Sequence, residues 1–184
     1  MFRPLLLIAR GLVALVVCCA AAAIVPARAD EQGEINRLAA AGQTTEAITR
    51  LDQLLAQRPR DPQLRFQKAV ILAETQRRAE AKGILTELTV DYPEIPEPHN
   101  NLAVIYAAEG DYDRARTALD AALRANPNYA VAHQNMGDIH AQLARLSYQQ
   151  ALKLDPANAA IPPKLTLLRE LIKPANAAAA RTTP

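Results

Sequence analysis

A 34-residue period constrains the fold of this chain more than any other feature of its sequence. When the sequence is shifted against itself by 34 residues, residues of the same kind coincide at several positions. Three columns hold proline, alanine and leucine, namely Pro59, Pro93 and Pro127; Ala47, Ala81 and Ala115; and Leu51, Leu85 and Leu119. Such a period is typical of stacked units, each too small to bury its own apolar residues.

Each unit has the residue spacing of a helical hairpin. In the unit 96–129 the apolar residues form two helical stripes, Leu102, Ala103 and Tyr106 on one and Ala115, Leu119 and Ala122 on the other. Gly110-Asp111 between the stripes suits a tight turn, and Pro127 ends the second helix because its ring clashes with a preceding helical residue. Only 4% of the residues are aromatic, although 50% are hydrophobic, which favours helices over sheets. The sequence therefore predicts an all-α fold.

The pattern resembles the tetratricopeptide repeat over residues 30–156. The best unit carries the series Asn101-Leu102-Ala103, Tyr106, Gly110-Asp111-Tyr112, Ala115, Leu119, Ala122-Leu123 and Pro127. The resemblance implies a right-handed superhelical stack of helix-turn-helix repeats, whose first helices line a concave binding surface. We assign the repeats to 30–61, 62–95 and 96–129, with a shortened fourth repeat at 130–156.

The fourth repeat lacks an interhelix turn. Pro156 follows Pro127 by 29 residues, five fewer than the period, and no Gly, Pro, Asn or Asp lies between Ile139 and Leu154. We therefore expect one long helix there. A capping helix is predicted at 162–174, with its apolar residues Leu165, Leu168, Leu171 and Ile172 packed along the distal half of the long helix. The same surface could instead pair two chains as a homodimer. The tail 175–184 is expected to be disordered.

Residues 1–29 have the features of a secretory signal peptide. Arg3 and Arg10 flank the start of a short apolar run, and Ala27-Arg28-Ala29 provides a cleavage site after Ala29. A retained membrane anchor and a lipid on Cys18 or Cys19 are the alternatives. Cleavage would predict a secreted or periplasmic protein without cysteine. It would leave 18 basic against 19 acidic residues, since three of the 21 basic residues depart, so charge gives no argument for nucleic-acid binding.

No catalytic, cofactor-binding or metal site is expected, and we do not expect an enzyme. His99 and His133 lie one period apart, and His140 falls in the column of Leu38, Leu72 and Tyr106, which predicts a helix-packing position. The acidic residues are scattered without paired spacing, and the sequence has no glycine-rich phosphate loop.

Three further columns lie on the face of the first helices that does not carry the packing stripe. They contain Gln32, Phe66, Asn100 and Gln134; Asn36, Val70, Val104 and Asp138; and Ala39, Ala73, Ala107 and Ala141. From them we predict a partner-binding groove, called here the predicted groove, formed by Asn36, Phe66, Val70, Ala73, Asn100, Val104, Ala107, Gln134 and Asp138. The alternative is that Phe66 and Val70 only fill space between repeats.

The expected function is that of a periplasmic scaffold, adaptor or assembly factor that holds a protein or peptide segment in the predicted groove. The alternative is a structural subunit of a cell-envelope or secretion complex that uses its ends and convex face. No cofactor, no nucleic acid and no membrane span after signal cleavage are expected. Some members of the family grip a C-terminal carboxylate with cations; the matching positions here, Gln32, Asn36, Gln67, Glu97 and Asn101, hold none.

Cleavage after Ala29 makes Asp30 the first residue of the mature protein, because Ala27 and Ala29 supply the small side chains that the peptidase requires. N-terminal sequencing of the protein isolated from its native host checks this prediction. Recovery of a chain that still begins at Met1 would replace the exported form with an anchored one.

Overall fold

The computed structural model describes residues 30–172, and every regular element within them is a helix. The predicted all-α class is therefore confirmed. The signal peptide predicted at 1–29 and the tail predicted at 175–184 lie outside the described residues. In chain order the helices are α1 (30–40), α2 (Thr44–Gln57), α3 (Pro62–Glu74), α4 (Arg78–Asp91), α5 (Pro96–Ala108), α6 (Tyr112–Ala125), α7 (Ala130–Leu154) and α8 (Ile161–Ile172).

The helices fall into two compact units, α1–α2 up to Gln57 and α3–α8 from Arg58 onward. In the first unit, Ile35 of α1 and Ala47 and Leu51 of α2 are completely buried. An ion pair also joins these two helices, since Arg50 Nε lies 3.0 Å from Glu34 Oε2. The first unit is thus a helical hairpin with its apolar stripes turned inward.

In the second unit, α3 pairs with α4 and α5 pairs with α6, while α4 also packs on α5 and α6 on α7. The repeat columns form its core, and the residues exposed by 1% or less include Ala69, Leu72, Ala81, Leu85, Ala103, Ala115 and Leu119. Alanine at the crossing points lets the helix backbones approach closely, and leucine fills the adjoining layer. Full burial of each such leucine contributes on the order of 1.5–3 kcal/mol.

One turn geometry recurs between paired helices. The second residue after each first helix adopts a left-handed conformation, with φ of 74° at Gly42, 65° at Gln76 and 79° at Gly110. The next amide then donates to the carbonyl five residues earlier, at 2.9 Å from Gln43 to Leu38, 3.0 Å from Arg77 to Leu72 and 2.9 Å from Asp111 to Tyr106. These bonds satisfy carbonyls that the helix end leaves open.

The fourth repeat is one continuous helix, α7, of 25 residues. Its length is about 37 Å at 1.5 Å per residue. The position one period after Gly110 is Ala144, whose side chain disfavours the left-handed turn. The helix therefore continues, and no second helix folds back over the packing stripe of α7.

This missing hairpin partner explains one incorrect expectation. His140 was predicted to occupy a helix-packing position, because the same column holds Leu72, which is completely buried. In the structure His140 is exposed. The column has nothing to pack against at this point, since α7 does not turn back.

Helix α8 packs on α7 through residues at every third or fourth position. Ile161 is 5% exposed, and Leu165, Leu168 and Ile172 are half-buried. The expectation that Leu171 shares this face is wrong: Leu171 is 67% exposed. Helical periodicity places Ile161, Leu165, Leu168 and Ile172 on one stripe and turns Leu171 away from it.

Gln76 occupies a left-handed turn position that the other two repeats fill with glycine. We therefore expect Gln76→Gly to raise the free energy of unfolding by about 1 kcal/mol, and Gly110→Ala to lower it by a similar amount. Urea unfolding followed by circular dichroism measures both.

The control is Gln134→Gly, the same substitution at an exposed position inside α7, which should lower stability by about 1 kcal/mol. A destabilising Gln76→Gly substitution would show that the turn has no preference for glycine.

Candidate functional site

The predicted groove draws its residues from the first helix of each repeat. In the first unit, Asn36 is exposed, and its Oδ1 accepts a weak hydrogen bond from Gln32 Nε2 at 3.4 Å. In the second unit the groove residues lie on α3, α5 and α7. They comprise the half-buried Phe66, Val70, Ala73 and Ala107, the exposed Val104, Gln134 and Asp138, and the buried Asn100.

Val104 is the large apolar side chain that the groove exposes most, at 41% of its surface. Phe66 and Val70 are half-buried, so part of each side chain packs within the unit and part stays accessible. A charge introduced at Phe66 would therefore disturb folding as well as binding. Val104 is the better position at which to probe the face without disturbing the core.

Asn100 differs from the accessible amide expected at its position. The residue is 5% exposed, and its Oδ1 accepts a hydrogen bond of 2.8 Å from Asn135 Nδ2. This bond offsets the cost of burying the Asn100 amide, and it sets α5 beside α7. Asn100 thus holds adjacent repeats together.

Sequence reasoning missed the contribution of Asn135. Its position one period after Asn101 was the available signal. Asn101 itself is 7% exposed, and its Nδ2 donates to the Glu97 carbonyl within α5 at 3.0 Å. Asn101 and Asn135 therefore share one column but differ in their contacts. Asn101 bonds within its own helix, whereas Asn135 bonds to the neighbouring first helix.

The groove columns of α3, α5 and α7 contain a single charged residue, Asp138. Nearby cations are engaged elsewhere. Arg65 contacts Asp91 at 2.6 Å and Glu87 at 2.7 Å. Lys82 contacts Glu109 at 2.6 Å. Glu97, seven residues before Val104, lies at the start of the same face of α5, so the face is mainly uncharged and its charged groups are acidic.

Two histidines occupy equivalent structural positions. His99 Nε2 lies 3.2 Å from the Pro93 carbonyl oxygen, and His133 Nε2 lies 2.9 Å from the Pro127 carbonyl oxygen. Each ring can donate to the loop before its helix. Burial lowers the pKa of His99, so the uncharged ring is favoured. Across residues 30–172, no group of three His, Cys, Asp or Glu side chains is placed to hold a metal ion.

None of the helices within the described residues 30–172 has the length and apolarity needed to span a membrane.

Comparison with known proteins identifies the repeat. Family models described as tetratricopeptide repeat match residues 38–105 and 96–129. These two matches run through α2 to α6, and they overlap in the repeat that resembles the family most fully. The turn geometry and the buried alanine and leucine columns described above lie within the matched region.

Solved structures share the fold. A thermophilic TPR protein of Thermus thermophilus is 25% identical, with 78% of this chain and 83% of that chain covered and a TM-score of 0.57. The first TPR of Spaghetti (RPAP3), bound to the HSP90 peptide SRMEEVD, is 18% identical, covering 62% and 90%, with a TM-score of 0.57. MamA is 17% identical, covering 74% and 82%, with a TM-score of 0.55. The predicted class of helix-turn-helix repeats is thus confirmed.

Proposed function

Since the chain belongs to the tetratricopeptide-repeat family, we propose that it is a protein-binding scaffold, an adaptor or assembly factor that holds a segment of a partner protein in the predicted groove. The observation that carries this proposal is the exposed Val104 on a face of α5 that is mainly uncharged and has one acidic residue, Glu97, at its start. Burying an exposed valine against a partner removes apolar surface from water, which favours association. The Spaghetti domain, solved with an HSP90 peptide, is an example of a related fold that holds a peptide.

The second helices present a different surface. On α6 the outward residues are mainly charged, and the exposed ones include Asp113, Arg114, Arg116, Asp120 and Arg124. The centres of protein interfaces are depleted of charged residues, because desolvating a charge is costly. The face of α5 around Val104 has fewer charges than the outward face of α6, so it is better suited to the centre of an interface, and the outward face of α6 suits solvent.

A second candidate is a structural subunit of a cell-envelope or secretion complex that uses its ends. It is favoured by three exposed leucines near the C-terminal end of the stack: Leu154 at 78%, Leu167 at 71% and Leu171 at 67% exposure. Large apolar side chains grouped on a surface mark interaction sites more often than isolated ones do.

The proposed location is the periplasm or the exterior of the cell, on the support of the signal-peptide pattern in residues 1–29. The proposed role involves no catalysis. This proposal is supported by the family assignment.

Val104→Asp should weaken partner capture at least about tenfold, because it places a charge at the centre of an apolar contact and loses on the order of 1.4 kcal/mol or more. Stability should fall by less than about 1 kcal/mol, since the side chain is already exposed. Quantitative mass spectrometry after crosslinked pull-down from the native envelope measures capture, and a thermal melt measures stability.

The matched control is Val90→Asp, because Val90 of α4 is 75% exposed and lies outside the groove. It should leave capture unchanged. If the Val104→Asp protein still captures the partner and the Leu171→Asp protein does not, the result would support the structural subunit and reject the groove as the binding site.

A further inference from the structure

Helix α8 lies on a continuation of the predicted groove. On α7 the groove begins with Gln134 and Asp138, and steps of three and four residues extend this stripe through Ala141, Arg145, Tyr148 and Leu152. Lys164 Nζ of α8 lies 5.1 Å from the centre of the Tyr148 ring. An open cleft of about 450 Å³ is lined by Gln149, Leu152, Lys153 and Leu165, so the stripe and α8 share its walls.

Exposure along the stripe shows how far α8 reaches. Gln134 and Asp138 are exposed, whereas Ala141 is 7% exposed and Arg145 is half-buried. After the loop 155–160, the 12 residues of α8 pack against α7, and Lys164 lies beside Tyr148. The chain thus closes the distal part of the stripe itself and leaves the part at Gln134 and Asp138 open.

The contact with α8 shows which ligand shape this surface accepts. Helix α8 is amphipathic: Ile161, Leu165 and Leu168 turn toward α7, while Arg169 and Glu170 are exposed. Its Lys164 lies at the edge of the contact, over an aromatic ring. The stripe therefore already accommodates a helix that packs through an apolar face and carries a cation beside it.

The open part of the groove offers the same kind of surface. Val104 and Ala107 of α5 provide apolar area, and the 2.8 Å bond between Asn135 and Asn100 sets Gln134 and Asp138 of α7 alongside. The alanine side chains on the floor are small and add little bulk to this surface. Asp138 is the charged member of this part of the groove, and a cation on the ligand would complement it.

We propose that the open part of the groove binds an amphipathic helix of a partner protein, placed in line with α8, with a Lys or Arg beside Asp138. The apolar stripe of this helix packs on Val104 and Ala107. The inference rests on the proposed function and adds the conformation and the charge of the bound segment.

Three synthetic peptides of equal length test it with the full chain. The first is a helix of Leu, Ala and Lys with Leu on one face, the second has the same composition in an order without a stripe, and the third replaces Lys by Glu. Fluorescence anisotropy gives each dissociation constant. The first peptide should bind at least about tenfold more tightly than either of the others, and Val104→Asp should abolish that advantage.

The charge is tested by Asp138→Lys, which should reverse the preference between the Lys and Glu helices. Asp120→Lys, at an exposed position on α6, is the control and should leave the preference unchanged. Equal binding of the striped and unstriped peptides, or no binding of any peptide at millimolar concentration, would overturn the proposal that the groove binds an amphipathic helix. If Asp138→Lys leaves the preference for the Lys peptide over the Glu peptide unchanged, the proposed pairing of a ligand cation with Asp138 is wrong. The proposed function fails separately if Val104→Asp leaves capture of the native partner unchanged.

Discussion

The close approach of two helices at Ala103 and Ala115 is the contact on which the rest of the second unit depends. Both residues are exposed by 1% or less, and neither has a side chain beyond its Cβ atom, so the backbones of α5 and α6 can come near each other. Leu119 and Ala122 fill the next layer. Larger side chains at these positions would force the helices apart, at a typical cost of about 1–3 kcal/mol. Ala69 and Ala81 occupy the equivalent positions of α3 and α4, so both hairpins of the second unit have alanine at this contact.

A hairpin built in this way has a second apolar side that only a neighbouring hairpin can cover. The stack must therefore end in something different. Here the last repeat loses its turn, and α7 continues where a second helix would have begun. Helix α8 covers part of α7 from the groove side, with Ile161 buried and Leu165 and Leu168 half-buried. The end of the fold thereby determines how much of this face of the first helices stays exposed.

The sequence allowed the hairpins to be predicted because their determinants are local. Proline, the turn residues and the alanine and leucine columns act within one repeat, and the 34-residue period multiplies the signal. The absence of turn residues after Ile139 similarly explains why α7 continues as one helix. Whether the predicted groove binds a partner remains a prediction.

Features that depend on contacts between elements were not predictable in the same way. The burial of Asn100 depends on Asn135, which lies in the next repeat. His140 is exposed because a partner helix is missing, although its column predicts packing. Leu171 is exposed because the rotation of α8 on α7 selects another stripe. In each case the residue type is compatible with either a buried or an exposed position, and the placement of a second helix decides which one it takes.

Site-specific photocrosslinking in the native host shows whether partners contact the first helices. A photoreactive amino acid would replace Val104 or Gln134 in the groove, Val90 or Thr117 on the second helices, or Leu154 at the end of α7. We expect this contact: Val104 and Gln134 should crosslink to one and the same partner, and Val90 and Thr117 should form no crosslink. Crosslinks from Thr117 or Leu154, with none from Val104 and Gln134, would contradict it.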